Sequence, residues 1–480
     1  MTNLTSAQID RAVGAILGTA AGDALGASYE FGPPLADDVE VRMSGGGSFG
    51  WAPGEWTDDT SMAVPILREV AAGADLLDDA TQSRIVVAWA DWARRAKDVG
   101  IQTRQVLGGL GAHGGATADA ARASAKVVHD RSGRSGGNGS LMRTAPVPLG
   151  YLGDGTEAEL ADAARAVSAL THFEDDAGDA CVLWCLAIRH AIRTGEADAR
   201  IGLGWLPAER RERWGALIAD AEAKHPRDFT RNGWVVEALQ AAWSAIHRGD
   251  GLADTLERAV RGGRDTDTVA AITGALAGAV RGASGVPFAW RRLLHGWPGL
   301  RADELTELAI LAARGGAPDR IGWPSAPRVD YSGWGGTRTL VAHPHDAGVL
   351  LGGAGALDAV PEGVDAVVSL CRLGTEQVPA SIEPSARHRV WLIDTADAGD
   401  NPHLDEVLLD AASAVATLRS EGRTVLLHCV QAQSRTPTVA ALYAARHLDV
   451  APDEAWRDVI DALPDAHPNA AFRAAYARLA

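Results

Sequence analysis

The segment GGRDTDTVAAITGALAGA at residues 262–279 decides how the N-terminal part of this chain folds. Gly262 and Gly263 permit a tight turn, and the oxygen-bearing side chains of Asp265, Asp267 and Thr268 follow it. Behind them comes a run with helical periodicity that is rich in Gly and Ala. Because such small side chains let a helix lie deep in a bundle, we predict a buried helix with acidic groups at its start.

Two further segments combine carboxylates with helical runs. They are GTAAGDALGASYEF at 18–31, with Asp23 and Glu30, and GEWTDDTSMA at 54–63, with Thr57, Asp58 and Asp59. An isolated TDDT is more often a helix N-terminus with solvated acids. Three acidic segments that converge would instead form a buried site, and buried carboxylates without cationic partners need a metal ion. Their hard oxygen atoms are the ligands that Mg²⁺ prefers.

Composition and charge set the broad class of the protein. A chain of 480 residues is expected to form two or three domains. The net charge of −17 argues against a broad nucleic-acid-binding surface. The four cysteines do not suggest a disulfide framework, so we expect a reducing, cytoplasmic setting. We expect neither a signal peptide nor a membrane span, because no long apolar run occurs.

The periodicity of apolar residues divides the chain into regions. Residues 1–315 space apolar residues by three and four, which predicts an all-α domain. Residues 316–344 are rich in Gly and Pro and are predicted to be a linker. Residues 345–480 alternate short apolar strands with helical runs, which predicts an α/β domain with a mainly parallel sheet.

Six segments of the first region occur in an order that resembles the ADP-ribosylglycohydrolase family, which includes the dinitrogenase reductase-activating glycohydrolases. They are GAILGTAAGDALGASYEF, GEWTDDTSMA, KDVGIQTRQVL, GGNGSLMRTAPVPL, LTHFEDDAGDACVLW and GGRDTDTVAAITGALAGA. The resemblance covers residues 10–300 and implies an all-α fold with a pair of Mg²⁺ or Mn²⁺ ions. The metal ligands that it implies are Thr57, Asp58, Asp59, Asp265, Asp267 and Thr268.

The resemblance also implies the substrate-binding residues. Glu30 would lie next to the metals and Asp98 would face the substrate. The loop GGNGSLMR would lie near the diphosphate and the distal ribose, with His172 as a further ligand contact; its implied contact residues are Asn138, Gly139, Ser140 and Met142.

The implied reaction is hydrolysis of the glycosidic bond between ADP-ribose and a modified acceptor, with protein arginine as the expected acceptor. Glu30, Asp58, Asp59 and Asp98 all stay open as the group that moves the proton.

Several of these residues also have an ordinary structural interpretation. Asp98 is equally suited to capping its own loop, and His172 to a buried hydrogen bond. Trp234 is more often a core residue than a stacking platform for adenine. Cys181 and Cys185 lie four residues apart on one helix face and are expected to be core residues, since no other soft ligand accompanies them.

The C-terminal region has a separate motif, RTVLLHCVQAQSRTPTVAALYAARH at residues 423–447. Cys429 ends an apolar strand, and Arg435 follows after five residues at the start of a helix. Backbone amides at a helix N-terminus bind a phosphate group and favour a thiolate nucleophile. Arg435 is suited to grip two phosphate oxygens, and Thr436 to donate to the departing sulfur.

This motif closely resembles the dual-specificity protein tyrosine phosphatases, over residues 345–480. The resemblance implies a cysteinyl-phosphate intermediate without a metal, and an aspartate that protonates the leaving oxygen. Asp394 is the best match, with Asp397 and Asp400 as alternatives. The family usually has Gly where this chain has Ala432, which would be strained by about 1–2 kcal/mol if the position needs positive φ.

We therefore expect a bifunctional hydrolase that acts on an ADP-ribosylated protein or other ADP-ribose-containing ligand and on a phosphorylated substrate. The alternative hypothesis is a reader that binds ADP-ribose and phosphate without turnover at one or both sites.

Overall fold

The computed structural model describes residues 4–463 and 465–480, which form two compact units. The first unit contains the described residues up to Val286 together with Leu293–Ala317. The second contains Pro287–Arg292 and the described residues from Pro318 onward. The predicted linker at 316–344 is therefore mostly part of the second unit, where its residues Leu340–His343 form a strand. Among the described residues, no helix is long and apolar enough to span a membrane.

The first unit is a helical bundle, as the sequence predicts. Its helices are α1 (Ser6–Gly26), α2 (Asp58–Ala71), α3 (Asp79–Ala93), α4 (Ile101–Gly109), α5 (Ala118–Ser132), α6 (Glu157–Ala169), α7 (Asp175–Thr194), α8 (Ala208–Ala223), α9 (Val235–Arg248), α10 (Gly251–Arg261) and α11 (Thr266–Arg281). A short helix α12 (Phe288–Arg291) belongs to the second unit, and α13 (Ala302–Ala313) returns to the first. The unit also contains a short antiparallel hairpin of two-residue strands, β1 (His295–Gly296) and β2 (Leu300–Arg301).

Helices α1 and α11 pack closely because small residues line their contact. Glycines recur every fourth residue along one face of α1, at Gly14, Gly18, Gly22 and Gly26. A Cβ atom on Gly22 would lie 2.1 Å from the carbonyl oxygen of Ala270, and one on Gly18 would lie 2.2 Å from that of Gly274. Only glycine permits backbones to approach so closely. The contact places the end of α1 beside the beginning of α11.

The second unit is built on a five-stranded sheet. Its strands are β3 (Leu340–His343), β4 (Asp346–Gly352), β5 (Ala366–Ser369), β6 (Arg387–Arg389) and β7 (Val425–His428), in the spatial order β3-β4-β7-β5-β6. Only β3 is antiparallel to its neighbour, which agrees with the predicted mainly parallel sheet. The accompanying helices are α14 (Leu404–Ser420), α15 (Arg435–His447), α16 (Pro452–Ala462) and α17 (Ala470–Leu479).

The core of this unit lies between the central strands and the helices. Strands β5 and β7 are buried on both faces, and α14 and α15 cover them with alanine, valine and leucine. Because the carboxyl ends of parallel strands lie at one edge of a sheet, the loop after β7 lies beside the end of β5.

Candidate active site

Asp23, near the end of α1, fixes the beginning of α2. One of its carboxylate oxygens accepts a hydrogen bond of 2.8 Å from the backbone N–H of Thr57, and the other accepts one of 2.9 Å from that of Thr60. A carboxylate at this place caps the helix, although it comes from a different helix. Thr57 occupies the N-cap position of α2 but makes no side-chain capping bond. Its hydroxyl instead lies against the carboxylates of Asp58 and Asp59.

Two overlapping groups of carboxylates form at this junction. In each group, one oxygen atom from every residue lies within 4.8 Å of the others. The first group is Asp58, Asp59 and Asp267, and the second is Glu30, Asp265 and Asp267. Asp267 is shared, so the two groups form one continuous carboxylate cluster. The structure therefore brings together the predicted acidic ligands from three distant segments.

The carboxylate cluster has no cationic partner in the described part of the chain. None of its five acids forms an ion pair with a Lys or Arg, and the Oδ1 atom of Asp59 is buried without a hydrogen-bond partner. The hydroxyl of Thr57 donates to Asp59 Oδ2 at 2.9 Å. Buried, unpaired carboxylate oxygens are costly, and hard divalent cations prefer such ligands. The residues present thus fit a Mg²⁺ or Mn²⁺ site.

Electrostatic repulsion within the carboxylate cluster is strong. Burial, with the neighbouring carboxylates of Asp265 and Asp98, raises the pKa of Glu30 to about 9. Burial and the Asp98 carboxylate raise the pKa of Asp58 to about 7. The pKa values of Asp59 and Asp267 are raised well above their ordinary value, chiefly by burial. The cluster holds protons near neutral pH unless another positive charge replaces them.

The KDVG loop adjoins the carboxylate cluster. The backbone N–H of Gly100 lies 3.3 Å from Asp58 Oδ2 and donates to it. Asp98 acts electrostatically on both Glu30 and Asp58, and it also accepts a hydrogen bond from the backbone of Val99. The two interpretations of Asp98 are therefore compatible, since it caps its own loop and lies beside the cluster.

The loop that follows α5 reaches the cluster through Asn138. Its amide donates 2.9 Å hydrogen bonds to Asp265 Oδ2 and to the backbone carbonyl of Asn232. Asn232 in turn accepts a 3.3 Å bond from the backbone N–H of Asp265 and donates to the carbonyl of Gly263. Asn138 thus orients an acidic residue of the cluster. Asn232 was not predicted from the sequence, because a lone Asn before a helix carries no recognisable signal.

The structure does not bring every residue of this loop to the cluster. Ser140 and Met142 are buried, and the thiol of Cys181 lies 3.6 Å from the Ser140 hydroxyl. The Cys185 thiol contacts the backbone carbonyl of Thr144, so both cysteines lie in the helical core. Trp234 is half-buried, and its backbone forms an isolated antiparallel β-bridge with that of Gly137 in the loop.

His172 faces the same loop and is held by a buried arginine. The guanidinium of Arg143 donates to Thr171 Oγ1 at 2.7 Å, and this hydroxyl lies 2.8 Å from His172 Nδ1. The hydroxyl thus links the Arg143 guanidinium to one ring nitrogen of His172, while the other nitrogen, Nε2, faces the loop. That atom lies 3.5 Å from the position of a Cβ on Gly137 or Gly139. Burial keeps the imidazole neutral by lowering its pKa well below the ordinary value.

Arg143 itself was missed by the sequence analysis. Its guanidinium is fully buried, lies 4.0 Å from the centre of the Trp89 ring, and has a pKa lowered by burial to about 9. A hydrophobic environment of this kind could be recognised only from the folded structure.

The second unit brings Cys429, Arg435 and Asp394 to one loop. Cys429 follows β7 directly and Arg435 begins α15. The guanidinium of Arg435 donates to the backbone carbonyls of Leu370 and Leu392 at 2.7 and 3.3 Å. Its Nε atom lies 3.5 Å from Asp394 Oδ2. This geometry places Asp394, rather than its alternatives, beside the arginine.

The surroundings of this loop are polar. Asp394 also accepts hydrogen bonds from the Ser434 hydroxyl and the Asn469 amide, at 2.8 and 3.0 Å. The hydroxyl of Thr436 is buried without a partner. By contrast, Asp397 accepts from the backbone of Gly399 on the surface, and Asp400 is half-buried on the same turn.

Ala432 has φ of 56°, so the loop does demand the left-handed conformation that glycine usually supplies. Next to the loop, His428 Nδ1 donates to the carbonyl of Cys429, and His428 Nε2 accepts from the Ser369 hydroxyl at 2.8 Å. This histidine is neutral, because burial lowers its pKa to about 4.

Comparison with known proteins shows which family the first unit matches. The ADP-ribosylglycohydrolase family profile matches residues 4–320. The chain is 33% identical to the ADP-ribosylarginine hydrolase Tri1 of Pseudomonas putida, over 59% of this chain and 73% of that protein. It is 30% identical to the ADP-ribosyl-[dinitrogen reductase] glycohydrolase of Rhodospirillum rubrum, over 58% and 89%. A solved structure described as an ADP-ribosylglycohydrolase-related protein complex matches with a TM-score of 0.50 and 31% identity, covering 64% of this chain and 99% of that one.

Proposed function

Because this chain belongs to the ADP-ribosylglycohydrolase family, we propose that its first unit hydrolyses the bond between ADP-ribose and an arginine side chain of a modified protein. The observation that carries the proposal is the carboxylate cluster, in which acids from three distant segments meet without a cationic partner. Arginine is proposed as the acceptor because the Pseudomonas putida relative bears that specificity in its name.

Thr57, Asp58, Asp59, Asp265, Asp267 and Thr268 would hold two divalent cations. When bound, they would supply positive charge to orient ribose hydroxyls and a water molecule and to stabilise the charge that develops at the anomeric carbon. Asn138 keeps the Asp265 carboxylate oriented, and the Gly100 N–H does the same for Asp58. These fixed donors mean that the ligands need little rearrangement when substrate arrives.

The proton transfer is best assigned to Glu30. It is only half-buried, whereas Asp58, Asp59 and Asp267 are buried, so it lies at the open side of the cluster. Glu30 would accept a proton from the attacking water, whose oxygen bonds to the anomeric carbon; the guanidine leaves with the electron pair of the broken C–N bond and takes up that proton. The imidazole of His172, whose Nε2 atom faces Gly139, would form a hydrogen bond with ADP-ribose there.

The test of this function is release of ADP-ribose from an ADP-ribosylated arginine peptide, with Mg²⁺ and after chelation. We expect release that requires the metal and is lost in Asp59→Asn. Binding of ADP-ribose without any release would favour a reader of the modification.

We propose a second activity, cysteine-dependent phosphate monoester hydrolysis, for the second unit. The juxtaposition of Cys429, Arg435 and Asp394 supports it, since these supply a nucleophile, an oxyanion-binding cation and a proton donor. Cys429 would attack phosphorus, and Asp394 would protonate the leaving oxygen; water would then hydrolyse the cysteinyl phosphate.

Hydrolysis of p-nitrophenyl phosphate tests this second activity. It should survive chelation and disappear in Cys429→Ser, while ADP-ribose release by that variant stays unchanged. Phosphatase activity that persists in Cys429→Ser would show that the mechanism is wrong.

A further inference from the structure

A chain of aromatic side chains begins at the residue after Glu30. Phe31 is 65% exposed, and its ring lies 6.2 Å from that of Phe49, which lies 6.1 Å from that of Trp51. We call these three residues the aromatic rim. Phe31 directly follows Glu30 of the carboxylate cluster, and a side chain so exposed contributes little to the hydrophobic core. Its exposed face is therefore available to a ligand.

The backbone holds Phe31 in an unfavourable conformation. Its φ is 65°, and that of Arg264 is 68°. The two segments are tied together, because Phe31 N–H donates to the carbonyl of Arg264 at 2.6 Å and Arg264 N–H donates to the carbonyl of Gly32 at 2.8 Å. Positive φ is uncommon for a bulky residue, and such strain persists mainly where the surroundings enforce it. The enforced turn fixes Phe31 between Glu30 and the beginning of α11.

At the opposite end of the aromatic rim, the Trp51 ring contacts a cationic side chain of the same protein. The Nζ atom of Lys97 lies 5.0 Å from the centre of the Trp51 ring and 2.6 Å from Glu55 Oε2. Lys97 directly precedes Asp98 and Phe31 directly follows Glu30, so each end of the rim adjoins a segment that carries an acid of the cluster region. Aromatic faces between carboxylates form a surface that is electronegative and apolar, which complements a guanidinium and its alkyl chain.

We propose that the aromatic rim binds the acceptor side of the substrate, with the guanidinium of the modified arginine stacked on Phe31. This inference rests on the proposed glycohydrolase function and names the residue that selects its acceptor. A planar guanidinium stacks on an aromatic face, whereas an acceptor such as serine has neither the charge nor the plane to do so.

The test compares Phe31→Ala with Phe31→Gly and Phe31→Tyr in the full chain. Both truncations remove the ring, but Gly also relieves the positive φ, so an effect common to both reports the ring and not the backbone. We expect KM for an ADP-ribosylarginine peptide to rise about fivefold or more in both, with wild-type values in Phe31→Tyr. Trp205→Ala, which removes another exposed ring, is the matched control and should change nothing.

A second measurement separates acceptor binding from ADP-ribose binding. The Kd of free ADP-ribose, measured with Mg²⁺ present, should be the same in wild type and both truncations, because free ADP-ribose lacks the acceptor. An equal loss of affinity for ADP-ribose would assign the rim to the nucleotide and overturn the proposal, as would an unchanged KM in Phe31→Gly. Failure of the proposed function is distinct, since the wild-type protein would then release no ADP-ribose from the peptide.

Discussion

Gly22→Ala should move α1 away from α11, and this separation should disrupt the carboxylate cluster. A Cβ atom on Gly22 would lie 2.1 Å from the carbonyl oxygen of Ala270 and 2.5 Å from its carbonyl carbon, where ordinary contacts begin at 3.4 Å. The helices would have to move apart by about 1 Å, because the obstructing atoms are backbone. Overpacking lowers the free energy of unfolding by about 1–3 kcal/mol, and the higher helix propensity of alanine offsets roughly 1 kcal/mol of this loss. We expect a net loss of up to about 2 kcal/mol in the free energy of unfolding.

The effect on metal binding should be larger than the effect on stability. Asp23, one residue from Gly22, caps α2, whereas Asp265 and Asp267 lie at the start of α11. Metal–ligand distances tolerate only about 0.2 Å, so a 1 Å displacement of one helix prevents simultaneous coordination. Calorimetric titration with Mn²⁺ should show at least a tenfold weaker Kd, and thermal unfolding should show a Tm that is lower by several degrees.

The matched control is Gly108→Ala in α4. No atom lies within 4 Å of a Cβ at this helical glycine, so the substitution should raise stability by up to about 1 kcal/mol and leave Mn²⁺ binding unchanged. If Gly22→Ala also raises the Tm and binds Mn²⁺ like the wild type, the close helix contact does not position the ligands, and our reasoning is refuted.

Three further perturbations test other parts of the structure. Asp59→Asn should raise the Tm of the metal-free protein, because a neutral amide avoids the cost of protonating a carboxylate that is ionised in the unfolded chain, and should lose the Tm increase that we expect from Mg²⁺ in the wild type. Ala432→Gly should relieve the strain at φ of 56°, raising unfolding free energy by up to about 1 kcal/mol in denaturant titrations and increasing p-nitrophenyl phosphate turnover. Since the folded protein depresses the pKa of His428 from 6.5 to about 4, the unfolded state binds its proton first, and stability falls as pH decreases through that window. The wild type should therefore lose about 2 kcal/mol more than His428→Gln between pH 7 and pH 5; equal losses would contradict a buried neutral histidine.

The helical architecture of the first unit was predictable from sequence because its signals are local. Apolar residues at helical spacing mark α7, α9 and α11, and the acids at the helix starts are visible as motifs. The sequence also showed which acids would meet, through their family order. What it did not show is the role of Asp23, since the same carboxylate is suited to bind a metal or cap a helix. That role depends on a contact across 34 residues of chain.

In the second unit, the strands were predictable, but the extent of the domain was not. Residues 316–344 look like a linker because they lack periodicity, yet the backbone of Val329 bonds to the Gln377 side chain on both its N–H and its carbonyl. The Tyr331 hydroxyl likewise donates to the carbonyl of Arg372 at 2.7 Å. Single polar contacts of this kind fix irregular chain to a domain, and no local pattern announces them.

The glycines of α1 and the carboxylates at its end are parts of one arrangement. Close helix packing brings the acids together, and their mutual repulsion opposes that packing until a cation binds. A ligand that binds only the folded state adds RT ln(1 + [L]/Kd) to stability, about 2.7 kcal/mol when its concentration is a hundred times Kd. This exceeds the net cost that we assign to Gly22→Ala, so saturating metal should partly restore the stability of that variant, at concentrations well above those the wild type needs. The close contact between α1 and α11 would therefore give the proposed metal site a defined geometry beside Glu30 and Asp98.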